Sequence, residues 1–262
     1  MKAPCSGIWS AETLFLFFLS LATLSPVHAI AAPATSQSDP SAIAWATQAM
    51  TVLTGGQTVN GISAKGNAVR LPDQDSGTIA LSASGLTVSR LDLSTTTGVR
   101  SEIRTSGNRG PAGEWIDIEG QHHPYAQHNC WTDAAWFFPE LTMLSAYSDP
   151  TVVFTDLGQE THQGLTVEHI QVYRTFSDRN PDIARVLSRL STVNYYLESQ
   201  TAIPIAISFD VHPDNNEGTA IPVEVRYSDY RRIGGVLVPF EIDRYLNRSP
   251  LLQISLTSAS PN

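Results

Sequence analysis

Lysine is nearly absent from this chain. Lys2 and Lys65 are the only two in 262 residues, and the formal net charge is −9. A nucleic-acid surface replaces condensed counterions with clustered cations. No basic cluster exists here, so nucleic acid is excluded as a partner. The same acidity argues against electrostatic attraction to anionic lipid head groups. Cysteine is equally scarce, with only Cys5 and Cys130. Catalytic spacings are missing too. There is no G-x-S-x-G elbow, no P-loop, no G-x-G-x-x-G and no H-E-x-x-H. No general acid stands out with a partner base. The expectation is a protein that is not an enzyme and carries no cofactor.

Long apolar runs are missing after the N-terminus. There, Lys2 precedes "GIWSAETLFLFFLSLATL", and "SPVHA" places Val27 and Ala29 at the small-residue positions before a cut. This pattern predicts a secretory signal peptide over residues 1–29. Its strongest stretch, Leu14 to Leu24, is too short to span a bilayer of about 30 Å, and no later segment approaches ~20 apolar residues. No transmembrane span is expected after cleavage. Cys5 leaves with the leader. Cys130 then stands alone and cannot form an internal disulfide, so the core must supply stability.

What is abundant is Ser, Thr, Gly and short alternating apolar runs. Residues 30–38 read as a flexible lead-in, and 39–262 as a single β-rich domain. Asp39 and Pro40 predict a helix start, with Ile43, Ala46, Met50 and Leu53 at helical spacing and Gly55-Gly56 at its end. Residues 58–119 alternate like half-buried antiparallel strands. Ile79 and Leu81, Leu86 and Val88, Val99 and Ile103, and Ile116 and Ile118 carry the pattern. "TDAAWFFPELTMLSAYSDP" predicts a helix broken at Pro139. "GQETHQG" predicts a hairpin turn between two strands.

"RNPDIARVLSRLS" predicts a helix capped by Asn180, with Ile183, Val186, Leu187 and Leu190 as its apolar stripe. Ile203, Ile205, Ile207, Phe209 and Val211 share one strand face by period two, with Pro204 marking an edge or a bulge. Val223, Val225 and Tyr227, then a Gly234-Gly235 turn, then Leu252, Ile254 and Leu256 complete the chain. Strands outnumber helices and no βαβ alternation appears. The fold class is α+β, mainly β: a curled antiparallel sheet covered by an N-terminal helix and a few short helices.

The chemically dense stretch is "GQHHPYAQHNCW". His122, His123, His128 and Cys130 are residue types that bind zinc. Adjacent histidines on a strand point to opposite faces, so His122 and His123 ligate together only if Pro124 breaks the strand. The spacing matches no common zinc motif. The alternative is a polar connection that delivers Trp131 into the core. The aromatic group Trp131, Trp136, Phe137 and Phe138 has two readings as well. It lines an apolar ligand cavity, or it fills the core.

In "VRYSDYRRIGGVLVPFEI", Tyr227, Asp229-Tyr230, Arg231, Gly235, Val236 and Pro239-Phe240 form a strand, a turn and a strand. With the order of elements over residues 40–262, this resembles the outer-membrane lipoprotein-sorting (LolA/LolB-like) group of exported bacterial proteins. "WFFPELTMLSAYSDPTVVFTDLGQETHQGLTVEHIQV" is similar to the middle of uncharacterised exported relatives of that group. The resemblance implies a half-open β-barrel closed by helices, with an apolar cavity that in the family holds the acyl chains of a lipoprotein. The chain departs from the receptor branch in lacking a cysteine at the expected mature N-terminus.

Three functions follow as expectations. The first is an exported, non-catalytic protein of the periplasm or outer-membrane periphery of a bacterium. It would bind a lipid or an acylated protein through Trp131, Trp136, Phe137 and Phe138. The second is an envelope interaction or scaffold module without a cavity. The third is a metal-binding protein that uses the segment from His122 to Cys130.

Overall fold

Pro40 opens helix α1 (Pro40–Thr54), and Gly55 ends it at φ 62°. That left-handed conformation suits a residue without Cβ. Ala42, Ala46 and Ala49 are fully buried on one face with Leu53. Small side chains at this spacing let the helix lie close to the sheet. Asp39 occupies the N-cap position, but its side chain makes no cap bond. Its Oδ2 instead accepts from the Asp156 backbone N–H at 2.9 Å. The computed structural model describes residues 37–108, 110–177 and 180–262. The predicted leader and most of the lead-in fall outside them. Ser38, expected in a flexible segment, is fixed instead, because Phe154 N–H donates to its Oγ at 3.1 Å.

A first meander follows α1: β1 (Gly61–Arg70), β2 (Asp75–Ser84), β3 (Val88–Thr95), β4 (Gly98–Gly107), β5 (Gly110–Ile116) and β6 (His122–Pro124). The second holds β7 (Val152–His162), β8 (Leu165–Arg174), α2 (Pro181–Leu190), β9 (Val193–Glu198), β10 (Pro204–Val211), β11 (Ile221–Ile233), β12 (Val236–Leu246) and β13 (Ser249–Pro261). β1 pairs with β13, which joins the meanders into one antiparallel sheet. Its order is β6-β5-β4-β3-β2-β1-β13-β12-β11-β10-β9-β8-β7. The sheet is not closed, since β6 and β7 remain its two edges. The predicted curled, mainly β architecture is what the chain adopts.

Turn chemistry sets several registers. Gln163 and Gly164 connect β7 to β8, and Gly234 and Gly235 connect β11 to β12, all four at positive φ. Two-residue loops of that kind match the twist of paired strands. Leu252, Ile254 and Leu256 on β13 are buried as their spacing predicts.

Four expectations fail. On β10 the register shifts between Pro204 and Ala206. Ile205 is the extra residue of a bulge, so Ile207 and Phe209 are buried but Ile203 and Ile205 are not. Pro204 marks that bulge, since it has no N–H for the ladder. On α2, Asn180 Oδ1 does accept from the Asp182 N–H at 2.9 Å, yet only Leu190 of the predicted stripe is buried, and Ile183 is 47% exposed. The helix packs by its end, not its whole face. The broken helix is also absent. Residues 127–146 form three short 3-10 turns, at Gln127–Cys130, Pro139–Leu141 and Met143–Ala146. Phe138 is extended before Pro139, as a residue preceding proline prefers. Lastly, β4 is inverted. Val99 faces solvent, while Arg100 and Glu102 oppose the buried Leu93 and Leu91 of β3.

One contact demonstrates the curl. Arg244 on β12 donates from Nη1 to both Glu102 oxygens on β4, at 3.1 and 3.2 Å. Five strand spacings separate β12 from β4 in the sheet order. In a flat sheet, at about 4.8 Å each, that is about 24 Å. Only a sheet bent round its own interior brings these side chains together.

Candidate ligand-binding site

Residues 127–146 form a plug across the open side of the half-barrel. It is tied to the sheet on several strands. Ser89 Oγ on β3 donates to the Ala134 carbonyl at 2.6 Å. Tyr227 on β11 donates to the Trp136 carbonyl at 2.5 Å. Tyr195 on β9 donates to Asp133 Oδ2, and Asp133 Oδ1 accepts from the Met143 N–H at 2.8 Å. Burial pushes the Asp133 carboxyl up, while the Tyr195 hydroxyl and the Met143 N–H pull it down. At the rim, Asn129 Nδ2 donates to the His212 carbonyl and its Oδ1 accepts from the His212 N–H, both at 2.8 Å.

Beneath this plug lies a cavity of about 250 Å³. Leu91, Trp136, Phe137, Phe209 and Leu251 supply apolar wall, and Glu102, Arg104 and Arg244 supply charge. Trp136 and Phe137 meet edge to face, with centroids 5.2 Å apart. The Arg244 guanidinium lies over the Trp136 ring. Beside this cavity lies a second of about 310 Å³, around Trp131 and Phe176. Those two rings also meet edge to face, at 5.0 Å. Arg104 and Thr132 line both cavities.

The predicted aromatic group is therefore divided. Trp136 and Phe137 line the first cavity and Trp131 the second. Phe138 is fully buried in the core and lines neither. Its extended backbone before Pro139 turns the ring away. Arg104 and Glu102 escape the sequence reading because Val99 and Ile103 mark the apolar face of β4; Arg244 lies on β12. The signal was present: Arg100, Glu102 and Arg104 recur at period two and share a face.

The histidine segment does not assemble. His122 and His123 lie on β6, on opposite faces. His122 Nδ1 pairs with Glu114 at 3.1 Å, while His123 stacks on Trp115 at 4.1 Å and pairs with Asp117. His128 Nε2 lies 3.1 Å from the Pro213 carbonyl. Cys130 is buried, and burial pushes its thiol up. Among the described residues, no group of three or more His, Cys, Asp and Glu is placed to hold a metal ion. The segment's contacts are structural: it joins the plug to the β10–β11 connection.

The fold and site define a half-open antiparallel barrel with a plugged, part-apolar interior. No family model matches the chain, and no curated protein matches it. Solved structures do. A DUF1329 family protein from Desulfovibrio piger superposes with a TM-score of 0.53 at 8% identity, over 85% of this chain and 92% of that one. That likeness is one of fold. A LolA superfamily protein from Nitrosomonas europaea gives a TM-score of 0.49 at 12% identity, over 84% and 93% of the chains. A putative outer membrane lipoprotein-sorting protein domain from Vibrio parahaemolyticus gives 0.47 at 11%, over 83% and 93%. The last two carry the name of the group that the C-terminal hairpin resembles; the first does not. No helix among the described residues is long and apolar enough to cross a membrane.

Proposed function

We propose that this is an exported, non-catalytic protein of the bacterial cell envelope that holds a lipid or an acyl chain inside the half-barrel. The cavity between the plug and the sheet carries this reading. Its exposed wall is more apolar than polar, and Glu102, Arg104 and Arg244 add charge to it, so it can take a ligand that is partly apolar. The leader-like N-terminus supports delivery to the periplasm or the outer-membrane periphery. Mass spectrometry of lipids retained by the purified protein tests the reading. The expected result is a retained lipid near one per chain, reduced by Trp136→Ala in a protein that still melts cooperatively. A protein that purifies lipid-free and leaves acyl probes unbound overturns it.

A second reading is an envelope scaffold that docks a protein on its surface. The exposed Ile183 and Val186 on α2 favour it, because they lie outside both cavities.

A further inference from the structure

The cavity around Trp131 has a different chemistry from its neighbour. Arg104 reaches it from β4 and Arg174 from the end of β8. Thr87, Thr105 and Thr132 also line it. Among the described residues, no carboxylate lines it. Neither guanidinium has an ion-pair partner there, whereas Arg70, Arg90, Arg100, Arg226 and Arg244 each sit beside a carboxylate. Arg104 spends one weak bond on the Thr132 carbonyl, at 3.5 Å.

Among the described residues, Asp133 and Asp149 lie within electrostatic reach of Arg174, and neither forms an ion pair with it. Asp133 is occupied by Tyr195 and Met143. Asp149 is occupied by the Thr151 N–H and hydroxyl, at 2.8 and 2.7 Å. Half-buried arginines with free donors in a cavity without a carboxylate form a site for an oxyanion. The net charge of −9 opposes adsorption to an anionic membrane surface. A local pair of guanidiniums inside a cavity acts at shorter range and is less screened.

The two cavities share Arg104 and Thr132 in their walls. We propose that the Trp131 cavity binds the phosphate head of a single-chain amphiphile whose tail enters the cavity beneath Trp136 and Phe137. This rests on the lipid-holding reading above. Volumes of about 250 and 310 Å³ suit one chain and one small head. The first lies just below, and the second at the lower end of, the usual ligand-pocket range of about 300–1,000 Å³.

Isothermal titration with three probes tests it: lysophosphatidic acid, the monoacylglycerol of the same chain length, and inorganic phosphate. The first two differ only by the phosphate. Lysophosphatidic acid should bind about tenfold tighter than monoacylglycerol, the effect of one or two charge-assisted hydrogen bonds. Arg174→Gln should narrow that gap at least several-fold, and Arg174→Lys should restore part of it. Both variants are checked for an unaltered melting curve. Should one misfold, Arg104→Gln reads the same gap. Equal affinity for the two lipids overturns the head-group site and leaves the lipid-holding reading intact. Binding of neither lipid overturns both. Inorganic phosphate binding as tightly as lysophosphatidic acid makes this a free-phosphate site and overturns the shared ligand.

Discussion

The guanidinium carbon of Arg244 lies 4.6 Å from the centroid of the Trp136 ring. The same group holds Glu102, and its Nε–H finds no acceptor. Arg244 thus links the plug to both halves of the sheet. A double-mutant cycle of Arg244→Met and Trp136→Leu should show a coupling of about 1 kcal/mol in urea unfolding. Strictly additive losses would mean that the ring and the cation do not interact.

Tyr195 and Asp133 form the buried anchor of the plug. Tyr195→Phe removes one donor from a carboxylate that stays buried, and should cost about 1–3 kcal/mol. The Met143 amide, bound to the same carboxylate, should lose protection in hydrogen exchange. Unchanged exchange at Met143 would show that the plug is held elsewhere.

Glu140 gives the protein a pH dependence. It is buried in the plug, and neither carboxylate oxygen has a hydrogen-bond partner. Burial pushes its carboxyl up to about 8, from an ordinary 4.5. Between those values the folded chain holds a proton that the unfolded chain has lost. Its contribution is therefore complete below pH 4.5, declines as pH rises, and levels off above about 8. Wild type should lose on the order of 3 kcal/mol between pH 5 and pH 7 relative to Glu140→Gln. Parallel stability curves for the two proteins would refute this.

Helix α2 should tolerate change on the face that its pattern suggested was buried. Ile183→Glu is expected to alter stability by about 0.5 kcal/mol or less. Leu190→Ala, at the buried end, should cost about 2–4 kcal/mol. A large loss at Ile183 would mean that something covers that face in solution.

Much of the fold was readable in short patterns. Pro40 and Gly55, the glycine turns at Gly164 and Gly235, and the alternation of Leu252, Ile254 and Leu256 each specify local structure. They rest on dihedral preference and period, which neighbours in sequence settle. The sequence offers Trp131, Trp136, Phe137 and Phe138 as cavity wall or as core; Trp136 and Phe137 line the first cavity, Trp131 the second, and Phe138 neither. It does not offer the arginines. Arg104, Arg174 and Arg244 lie far apart in sequence, and each looks like a surface residue by type. β4 misled for the same reason: its apolar residues suggested the buried face, but the interior there is charged, with Glu102 paired to Arg244 across the barrel.

The sequence by itself determined the strand-rich class, the antiparallel order of turns and strands, and the helix that begins at Pro40. Local sterics and hydrophobic period suffice for those. It also contained "GQHHPYAQHNCW" without stating its role. Tertiary structure alone decided that role, because the partners of His122, His123, His128 and Asn129 come from β5, its following turn and the β10–β11 connection. Curling of the sheet likewise decided which charges face inward. Contact between Arg244 and Glu102 depends on closure across the barrel, and no local pattern in the sequence encodes it.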